Sequence, residues 1–281
     1  LSGANGRKWA RTDPRLRPFS GPLAATSERQ SFVILNTMFS WLVDAGYLAG
    51  NPLSLSRQRR RKTQPRVTRF LEDALWTEVK ITIDTMPRET NREREHYHRV
   101  RWLFTLLYLC GLRITEVVQN TMGGFFVRRS AQGEDVWWLE VLGKGDKTRL
   151  VRATKELMDE LARYRRENGL TPNPSPGEAT PLVLPIGGKP RPMKRSAIHM
   201  IVKETFNRTA TRIRERGDAQ SLIVATRVES ASAHWLRHTA GSNMADSMDL
   251  RNVRDNLGHS SIATTNIYLH TEDDERHEET E

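Results

Sequence analysis

The chain has 281 residues, and its 44 lysines and arginines outnumber its 34 aspartates and glutamates to give a formal charge of +10. That length can hold one large domain or two modest ones and can bury a full core. A lone cysteine, Cys110, excludes an internal disulfide and a cysteine-based metal site, and the longest apolar run is too short to span a bilayer. The charge is unevenly spread. Residues 271–281 hold seven acids and one base, so the remaining body carries 43 bases against 27 acids and points to a polyanionic partner, nucleic acid before membrane. No signal-peptide pattern is present, which sets the expectation of a cytoplasmic protein, and the first residue is Leu rather than Met, which leaves room for a missing start.

Residues 1–26 are rich in Gly, Pro and Arg and show no period. A helix is expected from Ser27, with Gln30 completing a capping box. Phe32, Leu35, Met38, Phe39, Leu42 and Val43 form its apolar stripe, Gly46 stops it, and Gly50-Asn51-Pro52 reads as a turn. One helix makes no core, so residues 1–56 read as part of a small helical domain. Residues 57–69 carry seven bases and no acid, the composition of a linker that tracks a DNA backbone. Helices are expected over 71–86 and 92–110, the second broken by Gly111 and followed by a short helix with Arg113 and Glu116. The period then changes. Residues 136–141 and 148–151 read as two strands joined by the Gly-rich loop Gly143-Lys144-Gly145-Asp146-Lys147. A helix follows over 154–168. Residues 171–192 contain seven prolines and read as loop, with a short strand at 182–184. A basic helix over 194–216 is a candidate to read DNA or to touch only phosphates. Short helices are expected over 233–244, 250–257 and 261–269.

Three clusters carry chemistry. Gly111-Leu112-Arg113 sets a guanidinium just past a helix break, with Glu116 one turn on. His234 and Arg237 are three apart and share a helix face. Leu257-Gly258-His259 puts an imidazole past a helix-ending glycine, and Tyr268 follows nine residues after His259. Arginine's planar fork grips a phosphate with two hydrogen bonds and stays charged, so Arg113 and Arg237 are candidates to hold one phosphodiester. His234 is a candidate hydrogen-bond donor or base, and Lys144 and Lys147 are both candidates to protonate a leaving oxygen or to touch phosphate. His234 and His238 also have the i, i+4 spacing of zinc ligands, but the Glu of His-Glu-x-x-His is missing and no third ligand is evident, so no metal is expected. Cys110, in an apolar helical run, reads as a buried structural thiol.

In this order and spacing the clusters resemble the tyrosine recombinase (phage integrase) family, in its Xer-like form, over roughly residues 67–270. Gly-Leu-Arg-x-x-Glu is the family's first catalytic box and His-x-x-Arg its second. Leu-Gly-His with a tyrosine nine residues beyond is its last motif, and Gly-Lys-Gly-x-Lys is a frequent form of its hairpin. The resemblance implies that Arg113, Lys144, His234, Arg237, His259 and Tyr268 are catalytic, with Glu116 in support. Tyr268 would be the nucleophile, and Lys144 rather than Lys147 the acid. DNA contacts are expected from Arg57, Arg59, Arg60, Arg61, Lys62, Arg66, Lys147, Lys194 and Arg195. A phenol attacking phosphorus forms a 3′-phosphotyrosine that a DNA hydroxyl can later displace, so strands rejoin without ATP. The arginines supply the charge that a metal ion provides elsewhere, and no cofactor is expected.

The fold class expected is mainly α with a small antiparallel β-sheet (α+β). Residues 1–56 would be a partial helical core-binding domain, 57–66 a basic linker, 67–270 the catalytic domain and 271–281 an acidic tail. The expected partners are double-stranded DNA and further copies of the chain, as a tetramer on DNA. In the family the first domain usually has four or more helices, whereas one is convincing here before Arg57. A type IB topoisomerase shares the boxes and the chemistry. The reading from another class is a truncated DNA-binding protein without activity.

Overall fold

The computed structural model describes residues 22–54, 70–187, 190–259 and Thr265. The chain divides into two compact units, Leu1–Thr63 and Gln64–Glu281. The expected linker bases Arg57, Arg59, Arg60, Arg61, Lys62 and Arg66, the last expected helix apart from Thr265 and so including Tyr268, and the acidic tail lie outside the described residues.

Among the described residues of the first unit one helix, α1 (Ala25–Asp44), begins two residues before the expected start. Ala24 occupies the N-cap without a side-chain bond, so the Ser27–Gln30 capping box does not form. Ser27 lies inside the first turn and its carbonyl accepts from Ser31 Oγ at 3.0 Å. Asn51 forms the turn. Its Oδ1 accepts from Leu53 N at 2.9 Å, and its Nδ2 donates to Asn36 Oδ1 at 3.1 Å and to Ser40 Oγ at 3.0 Å.

The second unit is built around α3 (Asn91–Cys110), which packs against α2 (Asp73–Asp84), α5 (Lys155–Glu167), α6 (Arg195–Arg214) and α8 (Ala233–Ala245). A full capping box starts α3: the Thr90 side chain accepts from Glu93 N and the Glu93 carboxylate accepts from Thr90 N. Its apolar end supplies Trp102, Leu103, Phe104, Leu106, Leu107 and Cys110 to the core, each at most 1 % exposed. Phe104 meets Phe206 of α6 edge-on at 5.6 Å, and Trp102 stacks on Tyr164 of α5 at 5.9 Å. Gly111 ends α3 in the left-handed conformation at φ 57°, and α4 (Ile114–Gln119) follows at once.

The sheet has three antiparallel strands rather than two: β1 (Phe125–Arg129), β2 (Asp135–Leu142) and β3 (Thr148–Arg152), in that order. Phe125 pairs with Leu139, and Leu139 with Val151, so these three apolar side chains share the buried face. The signal for β1 was available in Phe125-Phe126-Val127, bounded by Gly123-Gly124. A further element without an expected counterpart is α7 (Ala219–Ser230), which packs on α6. Asp218 caps it by accepting from Ser221 N at 2.8 Å. The segment Leu182–Leu184 is buried but forms no strand. Trp102 Nε1 donates to the Leu182 carbonyl at 2.6 Å, and Leu184 N donates to the Tyr164 hydroxyl at 2.9 Å, so side chains of the helical core take the place of a strand partner. The last described helix, α9 (Leu250–Leu257), packs on β3 and α8.

Candidate active site

Two helix ends at glycines and one hairpin loop bring the clusters together. Past the bend at Gly111, Arg113 sits at the N-cap of α4. Its backbone N–H donates to Glu116 Oε2 at 2.8 Å, and its Nη1 donates to Glu116 Oε1 at 2.9 Å. Glu116 is only 2 % exposed. Arg149 of β3 completes its shell, with Nη1 on Oε1 at 2.9 Å and Nη2 on Oε2 at 2.8 Å. Burial pushes this carboxyl up, but the Arg149 fork, the Arg113 amide and the Arg237 charge outweigh it and hold the pKa below the ordinary value. Glu116 is thus an ionised anchor that orients Arg113.

Arg237 lies on α8 at 3 % exposure and donates to the carbonyls of Gly111 and Leu257. These carbonyls belong to the ends of α3 and α9, so one guanidinium joins the first and last clusters. The small residues at the crossing permit this approach. A Cβ on Gly111 would lie 2.7 Å from Leu257 Cδ2 and 3.2 Å from Ala240 Cβ. Gly258 closes α9 at φ 64°, with Gly258 N donating to the Asp255 carbonyl and His259 N to the Arg254 carbonyl, the two bonds of a Schellman turn. The turn delivers His259, whose Nδ1 lies 3.0 Å from Thr265 Oγ1. Burial, followed by the Arg237, Arg113, His238 and Arg149 charges, lowers its pKa to about 4, so the ring is neutral at physiological pH.

The hairpin loop is tied to the same place. Asn120, at the end of α4, donates through Nδ2 to the Leu142 carbonyl at 3.1 Å and accepts at Oδ1 from Leu142 N at 2.8 Å, one residue before the loop. Gly145 and Asp146 turn the loop at φ 74° and 56°, and Gly143 N closes it on the Lys147 carbonyl at 2.9 Å. Lys144, Lys147, Arg149, Arg113 and His259 line one cleft, and Arg113, Arg195, His199, His234 and Arg237 line a second. Arg113 belongs to both, so five of the six expected catalytic side chains border two clefts that meet at one guanidinium. The sixth, Tyr268, lies outside the described residues.

His234 and His238 meet edge-on at 4.9 Å on α8, and Ser232 caps that helix through His234 N. Among the described residues no group of three or more His, Cys, Asp or Glu gathers at a spacing that could hold a metal ion. Cys110 is fully buried and its thiol is pushed up to about 12 by burial.

The expected basic helix forms as α6 (Arg195–Arg214). Lys194 is the N-cap residue of α6, and Arg195 begins the helix beside the second cleft. Further along, most of its basic side chains pair with acids at the surface. Arg212 and Arg216 both pair with Glu78 of α2, Arg214 with Glu229 of α7 and Arg208 with Glu204. Lys203 Nζ donates to the Glu229 carbonyl at 2.6 Å. Lys203, Arg212, Arg214 and Arg216 thereby fasten α6 to α2 and α7, whereas the Arg208–Glu204 pair lies within α6 on its exposed face. Sequence reasoning also missed Arg149 and Asn120. The signal for Arg149 was its place two residues before Val151, which puts an arginine on the inward face of a strand and calls for a buried acid.

Residues 80–275 match the phage integrase family. The tyrosine recombinase XerD of Rickettsia conorii is 23 % identical over 253 residues, covering 89 % of this chain and 75 % of that protein. XerC of Xylella fastidiosa is 27 % identical over 249 residues, covering 88 % and 71 %. Among solved structures, the XerH site-specific recombinase bound to palindromic difH substrate, in a post-cleavage complex, superposes with a TM-score of 0.66. It is 20 % identical and the match covers 92 % of this chain and 67 % of that one, a likeness of fold. The chain belongs to the phage integrase family and is a tyrosine recombinase.

Proposed function

We propose that the chain cuts and rejoins double-stranded DNA at specific sites through a 3′-phosphotyrosine at Tyr268, needing neither metal ion nor ATP, and that it works in the cytoplasm as a tetramer on DNA. The observation that carries the reading is the convergence of Arg113 and Arg237 on one cleft, with Lys144 and His259 on the cleft that shares Arg113. Two guanidiniums so placed would hold the non-bridging oxygens of one phosphate and stabilise the charge of a five-coordinate phosphorus. His234 and the neutral His259 would donate hydrogen bonds or move protons at that phosphate. Lys144, on the glycine-rich loop, would protonate the departing 5′ oxygen, and Lys147 and Arg195 would touch the DNA backbone beside it. The bases of residues 57–66 and Lys194 would extend the contact along the duplex, the first unit acting as a core-binding domain. Glu116 supports the site by fixing Arg113. Tyrosine suits this work because the phosphotyrosine bond keeps the energy of the phosphodiester, so a DNA hydroxyl can reverse the step.

The test uses a pool of duplexes with a randomised core and a nick beside it, so that cleavage releases a short fragment and traps the intermediate. The expected result is a protein–DNA adduct that survives denaturant, forms in EDTA and is absent with Tyr268→Phe. Sequencing the trapped DNA identifies the preferred duplex. DNA binding without an adduct from the unaltered chain would defeat the reading, as would an adduct that persists in Tyr268→Phe.

A further inference from the structure

We propose that Arg149 is a positioning residue of this site: by gripping Glu116, the α9 terminus and the hairpin strand together, it holds Arg113, the Lys144 loop and His259 around one cleft. The proposal rests on the strand-cleavage reading above and adds a residue that the family motifs quoted for this chain do not include.

The geometry is specific. Arg149 leaves β3 and spends all three guanidinium nitrogens on two other elements. Nη1 and Nη2 take the two oxygens of Glu116 on α4, and Nε donates to the Asn256 carbonyl at the end of α9 at 2.8 Å. Its side chain is 10 % exposed, so the bonds are shielded from water. The Gly258 turn lies directly on it, since a Cβ there would be 3.0 Å from Arg149 Cδ and 3.2 Å from Nη1. Gly143, the first loop residue, approaches the same pair, a Cβ there falling 3.3 Å from Arg149 Nη1 and 3.4 Å from Glu116 Oε1. The pair therefore touches the start of the lysine loop and the turn bearing His259, while Glu116 itself orients Arg113. A lysine cannot substitute, because one ammonium cannot present a planar fork and a third donor at once. Without the fork Glu116 is left buried with two donors fewer, an arrangement that protein interiors avoid.

Arg149→Lys and Arg149→Met are compared with the unaltered full chain, alongside the double variant Arg149→Met with Glu116→Gln, which removes both buried charges and protects the fold. In the free chain, hydrogen exchange reports positioning without DNA. All three variants are expected to lose protection at the Gly143, Gly258 and His259 amides while α3 stays protected. On the nicked duplex selected above, DNA affinity is expected to hold, and the rate of adduct formation per bound complex to fall by ~100-fold, the scale of loss when reacting groups shift by about 1 Å. Unchanged exchange at the turn and loop would overturn the proposal, and so would a normal rate per bound complex in the single variants. A rate that falls only in step with DNA affinity would also overturn it. If the unaltered chain itself yields no adduct, the strand-cleavage reading fails, and the exchange result alone decides whether Arg149 joins the three segments.

Discussion

Replacing Gly111 with alanine tests the crossing on which the site depends. Gly111 has φ 57°, where an L residue costs about 1–2 kcal/mol. Its new methyl would sit 2.7 Å from Leu257 Cδ2, inside any real contact distance, and 3.2 Å from Ala240 Cβ, a tight contact. Overpacking of this kind costs about 1–3 kcal/mol, because α8 and α9 must shift or the leucine must leave its rotamer. The two terms give a loss of roughly 2–5 kcal/mol, or a melting temperature roughly 4–20 °C lower for a unit of this size. Circular dichroism melts and urea titrations measure it. Repeating the substitution in a Leu257→Ala background removes the nearest obstacle, so the penalty there should shrink by about 1–3 kcal/mol while the backbone cost remains. Equal penalties in both backgrounds would refute the steric argument, and a variant as stable as the parent would refute the whole account.

The remaining expectations concern two titrating side chains. Cys110 should resist a thiol reagent at mildly alkaline pH in the folded chain and react at once in denaturant, since burial holds its thiolate back with a pKa of about 12. Rapid labelling of the native chain would contradict that burial. His259 should titrate near pH 4 by NMR, against 6.5 for an unhindered ring. Its folded pKa is depressed, so between those values the unfolded state takes up a proton that the folded state refuses. This contribution therefore lowers stability as pH falls from 6.5 towards 4, and it is constant at higher pH. Urea midpoints across that window should show a slope that His259→Gln reduces, and an unaltered slope would mean that other groups produce it.

The reach of local patterns is visible in particular residues. Helix α3 was legible because its stop and core face lie within consecutive residues. Gly111 and the alternation of the hairpin strands likewise depend on neighbours along the chain. The motif residues were legible too, since Arg113, Lys144, His234, Arg237 and His259 stand at spacings that local turns fix. The start of α1 was misplaced because a serine near a helix start satisfies the capping pattern wherever the first turn falls, and here Ala24 fills the cap. β1 and α7 were passed over, though short apolar and capping signals for both were present. Leu182–Leu184 read as a strand because apolar, β-forming residues between prolines look alike whether they pair with a strand or plug a helical core.

By itself, then, the amino-acid order determined most of the described helices, the hairpin and the motif residues that line the two clefts, because capping, periodicity and glycine breaks act over a few residues. Which charges line the clefts and which fasten the fold was decided by tertiary structure alone. Arg212 and Arg216 look as available as Arg195 in the sequence, yet Glu78 engages both from a helix more than a hundred residues away. The same holds for Arg149, an ordinary strand arginine until α4 and α9 close over it. A buried ion pair depends on which segments meet in space, and that meeting is set by the packing of the whole core.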